Sequence, residues 1–363
     1  MKKTTLILFF FTTIALGQIS PNTHSFSTHI FRGTILPHSP ELFHLQGHPT
    51  GAMLCYNIQT HGNKEWHSTY NFPDYGLFFV YQNFNNEFLG ENFSVGGHYN
   101  FYFLNRHLQL KIAQGLAFAN KPYNKETNSK NKAFGSQILG NLNLGLYYKT
   151  SLLKNYLDLD IGAQFLHYSN GRTKSPNSGI NSYAITAGLT YNFDKPIANK
   201  IDSLVSLKKI YNESIKGNIV LRTGYNESAV INSGQHIFYH IGAYLDKRIS
   251  RKSGLQLGTD LFLTKSFKDF IQYKANAFPE LHIDPNTDYK RIGVFAGYEM
   301  YINKLSIEGQ VGYYVYDPFK NEISIYDRIG LKYYISNTIF TGISLKTHVF
   351  LAEAVEYGIG IRF

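Results

Sequence analysis

The chain has 363 residues, a formal net charge of +10, 16% aromatic and 17% charged residues. Tyr and Phe number 28 each against one Trp, and Gly reaches 31, a balance that favours β structure over helix. The single Cys55 excludes an internal disulfide framework and a Cys-based zinc site, and the spread of charge, with no basic block, excludes a nucleic-acid partner.

Residues 1–17, MKKTTLILFFFTTIALG, read as a secretory signal peptide. Lys2 and Lys3 form the basic region, Leu6 to Leu16 the apolar core, and Ala15-Leu16-Gly17 the small-residue cleavage site before Gln18. No later segment approaches the roughly 18 consecutive apolar residues of a membrane helix.

From residue 25 the chain alternates apolar and polar residues with period two, as strands do. Strands are expected near 25–36, 50–58, 75–84, 92–104, 107–118, 136–149, 155–169 and 180–193. Short connections such as Asn105-Arg106 contrast with the long 119–135, the asymmetry of an outer-membrane barrel. Such a sheet must close, because lipid cannot satisfy an open edge. His61, Glu65 and His67 in HGNKEWH match no ligand spacing and read as a solvated loop, so no metal site is assigned.

The stretch 155–183 carries the chemistry. Leu157, Leu159, Ile161, Ala163 and Phe165 form a lipid face, and Asp158, Asp160, Gly162 and Gln164 a lumen face. The same count puts His167 and Ser169 on the lipid face, where unpartnered polar groups are costly. Asn181 shares the outward parity of Tyr183, Ile185, Ala187 and Leu189 on the next strand. A serine beside an imidazole, with a third group to hold the ring, is an activated-nucleophile arrangement, and facing lipid it suits a lipid ester. Ser169 would attack, His167 would move the proton and Asn181 would fix its tautomer. Asn170 and the Gly171 amide would donate to the oxyanion. The bland alternative is a polar strand end followed by ordinary turn residues.

Around the site, Arg172 and Lys174 are candidates to meet lipid phosphates, although solvated loop cations are the plainer reading. Ser136 has the lipid-face parity of Ile138, Leu142 and Leu144 and is either a strand-start polar residue or a group on the side where calcium would bind. Residues 194–216 break the alternation, with Ile201, Leu204, Val205 and Leu207 hinting at a short amphipathic helix, and read as a connection. Further strands are expected near 217–226, 236–248, 253–265, 288–302, 304–316, 324–335, 338–348 and 353–363, with a long loop at 265–288. The fold expected is all-β, a transmembrane antiparallel barrel of roughly 12–16 strands, closed as a single barrel over residues 18–363 rather than as the alternative of two separate barrels. Residues 18–193 would carry the site and 217–363 would add strands. Asp158, Asp160, Glu356 and Arg362 would form a charge network in the lumen.

HYSNGRTKSPNSGINSY resembles the active-site segment of the lipid A 3-O-deacylase (acyloxyacyl hydrolase) family, through His167, Ser169, Asn170, Pro176-Asn177, Gly179-Ile180 and Ser182-Tyr183. Weaker similarity over 25–193 includes NKAFGSQ and WHSTYNFPDYG. The resemblance implies an eight-stranded outer-membrane barrel with an outward Ser-His-Glu triad and an oxyanion-hole Asn after the serine. Asn181 stands at the Glu position, a departure. HYSNGR is also similar to outer-membrane phospholipase A, a calcium-dependent dimer that uses Ser-His-Asn. The terminal Phe363 resembles the C-terminal signature read by the barrel assembly machinery.

Three functions compete. The first is removal of an ester-linked acyl chain from lipid A or lipopolysaccharide without a cofactor. The second is calcium-dependent phospholipase A action. The third is a non-enzymatic porin-like barrel. The expected location is the bacterial outer membrane.

Overall fold

The computed structural model describes residues 23–154, 156–194, 213–349 and 351–363. The expected signal peptide and most of the 194–216 connection lie outside the described residues.

Eight strands make the first sheet: β1 (Thr23–Leu36), β2 (Thr50–Gln59), β3 (Asp74–Asn83), β4 (Glu91–Phe103), β5 (Leu108–Ala119), β6 (Ile138–Leu153), β7 (Leu157–Ser169) and β8 (Ile180–Asn192). Eight more make the second: β9 (Lys216–Glu227), β10 (Gln235–Arg248), β11 (Ser253–Thr264), β12 (Arg291–Ile302), β13 (Leu305–Tyr316), β14 (Ile325–Tyr334), β15 (Ile339–His348) and β16 (Leu351–Arg362). Among the described residues two α-helices interrupt the connections, α1 (Glu65–Thr69) and α2 (Lys265–Ala277).

The strands close as two barrels, not as the single barrel expected from sequence. β8 returns to β1 in unbroken register from Ser25↔Asn192 to Leu36↔Asn181. β9 likewise pairs with β16. Each half thus closes on itself, the second over a shorter ladder from Asn218↔Arg362 to Thr223↔Tyr357, and eight strands enclose just enough space for side chains to fill.

The outer surfaces are apolar. Ile185 is 75% exposed, Ile30 67% and Leu257 66%, which lipid tolerates and water would not. Exposed Phe103, Tyr148, Tyr191 and Phe193 gather at one end of the first barrel, as an interfacial aromatic girdle does. At that end the turn 104–107 is short, as periplasmic turns are, while the connection 60–73 carries a helix. The opposite, outer end carries the longer loops 120–137 and 170–179.

The first lumen has two layers. Near the periplasmic end it is polar: Asp160 pairs with Lys149 (3.2 Å) and His29 (3.1 Å), and Asn57 accepts from His98 (2.9 Å). A cavity of about 250 Å³ opens there, lined by Ser25, Asn57, Asp74 and Arg106 among others. The outer half is packed with Phe31, Ile35, Met53, Phe84, Phe134, Leu166 and Tyr168, closed over by Leu42, Leu45 and Leu89 from the loops. The strand bearing His167 and Ser169 therefore has a solid apolar core behind it. The second lumen is filled by buried ion pairs, with Arg328 between Asp260 (2.8 Å) and Glu356 (2.7 Å), and by Phe262, Phe295, Tyr326 and Phe340. The charges expected in one network are divided between two lumens, Asp158 and Asp160 in the first and Glu356 and Arg362 in the second, where Arg362 pairs with Asp246 (2.7 Å).

The barrels touch at both ends. On the periplasmic side Tyr70 donates to the Tyr301 carbonyl (2.6 Å) and Glu65 pairs with Arg251 (2.9 Å). His61 and His67, expected in a solvated loop, are buried, and the His61 Nε2 lies 2.8 Å from Thr23 Oγ1. Burial, with Lys64 and His61 near, holds the His67 ring down at about 4, so it is neutral and accepts from the Gly62 N–H (3.3 Å). On the outer side the β7–β8 loop meets the end of β9.

Candidate active site

The site forms because β7 and β8 are neighbours in fixed register. His167 lies directly opposite Asn181, and both side chains project to the outer surface. Ser169 follows two residues on, so it points the same way. The structure brings the three together: Ser169 Oγ lies 3.0 Å from His167 Nε2, and His167 Nδ1 lies 2.6 Å from Asn181 Oδ1. All three are half-buried at the outer end of the barrel.

A fourth residue joins them that sequence reasoning missed. His38, from the β1–β2 loop, has its Nδ1 3.3 Å from Asn181 Nδ2 and its Nε2 2.8 Å from the Ser178 carbonyl. A carbonyl can only accept, so His38 Nε2 carries a proton, and Nδ1, facing the Asn181 amide nitrogen, accepts. Asn181 then donates through its amide to His38 and accepts through Oδ1 from His167 Nδ1–H. That leaves His167 Nε2 free to accept from Ser169. One assignment of protons satisfies the whole chain. His38 sits 143 positions from Asn181 in an aperiodic loop, so no local signal marks it.

The loop after Ser169 is ordered by its own amides. Asn170 is buried; its main-chain N–H donates to Asn177 Oδ1 (2.7 Å), and its side-chain amide donates to Ser136 Oγ (3.0 Å) and the Lys174 carbonyl (2.8 Å). Its donors are thus engaged by its own loop and by Ser136 of the 120–137 loop rather than aimed at a substrate. Gly171 follows in the left-handed region at φ +60°, and its N–H has no partner among the described residues. Arg172 turns toward the second barrel, where its carbonyl accepts from Glu227, while Lys174 is exposed.

Ser136, the candidate group for calcium, donates to the Ile138 carbonyl (2.8 Å) and accepts from Asn170. Calcium needs six to eight oxygen ligands, usually including carboxylates. No group of three or more His, Cys, Asp or Glu side chains suited to a metal occurs among the described residues. The residues around Ser136 do not fit the ion.

A Ser-His-Asn cluster facing lipid on a closed membrane barrel has the make-up of an outer-membrane ester hydrolase. Comparison with known proteins narrows the class. Residues 50–190 match the family model of lipid A 3-O-deacylase, and residues 215–363 match that of the acyloxyacyl hydrolase C-terminal domain. Together they take in most of the chain, which belongs to the lipid A 3-O-deacylase family. No curated protein matches it. Among solved structures, the Acinetobacter baumannii outer membrane protein Omp33 is 7% identical (94% of this chain, 98% of that one, TM-score 0.18). A. baumannii OccAB3 is 9% identical (95% and 99%, TM-score 0.22), and a mutant of Rh. blastica porin 10% (94% and 99%, TM-score 0.21). Likenesses so slight bear on neither shape nor chemistry.

Proposed function

We propose that the chain removes an ester-linked acyl chain from lipid A in the outer leaflet by a serine mechanism. The observation that carries this is the proton-consistent chain from His38 through Asn181 and His167 to Ser169 on the lipid-facing side of the barrel. Ser169 Oγ attacks the ester carbonyl while its proton passes to His167 Nε2. The carbonyl oxygen becomes an oxyanion, to which the free Gly171 N–H donates. Collapse breaks the bond to the sugar oxygen, which takes the proton from His167. Water then attacks the acyl-serine with His167 again as base, releasing the fatty acid and restoring Ser169. Asn181 holds the ring in the required tautomer, and Asn170 shapes the loop that presents Gly171.

Asn181 also supports a second reading, phospholipase A, because outer-membrane phospholipase A has Asn as its third member. Lipid mass spectrometry separates the two. Wild-type protein and Ser169→Ala, each incubated with lipid A and with phospholipid, are compared with calcium and with chelator. The expected result is loss of one acyl chain from lipid A, in chelator, with the wild type alone. Serine-dependent cleavage of phospholipid alone, abolished by chelator, would replace the deacylase reading with the phospholipase one. No serine-dependent product from either lipid would sink both.

A further inference from the structure

We propose that the second barrel completes the active site of the first, by binding the loop after Ser169 into its own open seam. The proposal rests on the ester-hydrolase reading above.

The seam is incomplete. β9 runs to Glu227 and β16 begins at Leu351, yet they pair only from Asn218↔Arg362 to Thr223↔Tyr357. The ladder between β15 and β16 shifts register at Lys346/Thr347, beside this gap. The outer end of β9 would expose backbone donors and acceptors, which is costly at a membrane.

The β7–β8 loop of the first barrel meets the last residue of that edge and the β9–β10 turn beyond it. The Glu227 N–H donates to the Arg172 carbonyl (3.1 Å), as a ladder partner would. The Ser175 N–H donates to Glu227 Oε2 (2.8 Å), and Ser175 Oγ donates to the Ser228 carbonyl (2.6 Å). Gln235 Nε2 donates to the Thr173 carbonyl (2.8 Å). Glu227 is itself buried, and its other oxygen accepts from the Gly234 N–H (3.1 Å), so one carboxylate ties loops of both barrels. Gly171 lies flat on the second barrel's wall: a Cβ there would stand 2.3 Å from Val355 Cγ2 and 3.2 Å from Leu345 Cδ1.

Gly171 carries the N–H assigned to the oxyanion, and such a donor works only where it is held in advance. The holding groups are Glu227, Ser228, Gln235 and Val355, all on the second barrel. Glu227 is therefore a positioning residue for a reaction on the other barrel.

The test uses the full chain with Glu227→Leu, and Gln235→Ala as a milder variant, with folding checked by heat-modifiable gel mobility. Glu227→Leu should lower kcat about 10- to 100-fold with KM within about twofold, because the lost interaction belongs to the transition state. It should also speed cleavage by trypsin at Arg172 and Lys174 relative to the wild type. Glu65→Ala, at the periplasmic contact, should change neither. A kcat for Glu227→Leu within about twofold of wild type, equal trypsin resistance, or an equal loss in Glu65→Ala would each overturn the proposal. If the wild type cleaves no lipid ester, the function reading fails, and trypsin still decides whether the loop is bound.

Discussion

His38 controls which way the Asn181 amide points. With its Nδ1 as acceptor, it binds the amide nitrogen and so turns Oδ1 toward His167. Without that acceptor the two orientations of the amide lie closer in energy, and the flipped one presents N–H to His167 Nδ1. His167 would then carry its proton on Nε2 and could not take one from Ser169. His38→Leu should therefore lower kcat about tenfold with little change in KM. His38→Asn, whose Oδ1 can stand near the position of the ring Nδ1, should restore most of that loss. Equal activity in both variants would remove His38 from the chain. The outward parity of His167, Ser169 and Asn181 was legible in the sequence, because period two fixes the face of every residue once the strand is found. His38 was not, since a loop's landing point depends on packing across the barrel mouth. Asn170 was read as an oxyanion donor from its place after the serine. Its buried bonds to Ser136 and Lys174 emerge only when the 120–137 loop is brought alongside.

Among the elements, the β7–β8 loop joins the chemistry to the neighbouring barrel. Gly171→Ala combines two faults. An L-residue at φ +60° costs about 1–2 kcal/mol. The new methyl also meets Val355 Cγ2 at 2.3 Å. Only the second fault can be relieved from the other barrel. Gly171→Ala should lower kcat/KM about 100-fold, and adding Val355→Ala should recover about tenfold of it, a coupling of neighbours that distant residues do not show. Strictly additive effects would place Val355 away from the loop. The strands themselves were legible: all sixteen occur where the alternation put them, with ends that differ by a few residues. Helix α2 was not. Its burial falls on Ser266, Phe270 and Ile271 alone, its N-terminus has no side-chain cap, and it packs on β10. It owes its helix to tertiary contact rather than to a sequence signal.

At the scale of the molecule, alternation locates strands without naming their partners. The break at 194–216 was read as a link within one barrel because both closures produce the same strand pattern. Hydrogen bonding across each seam, not the pattern along the chain, decides between them. The second barrel is held by charges that no lipid could solvate. Arg328 is fully buried, with Asp260, Glu356 and Gln310 (2.6 Å) around its guanidinium. Removing it strands two carboxylates, although Arg222 (3.2 Å from Asp260) and His240 (2.7 Å from Glu356) remain. Breaking such a pair costs about 3–5 kcal/mol. Arg328→Ala should therefore unfold the second barrel at a lower urea concentration than wild type, while the first, whose core shares none of these residues, keeps its own midpoint. Glu356 lies on β16 next to Val355, so the loop's binding surface goes with it. If the barrels form one catalytic unit, esterase activity in Arg328→Ala falls at the midpoint of the second barrel, before the first has opened. Activity that persists until the first barrel unfolds would mean that Ser169 works without its neighbour.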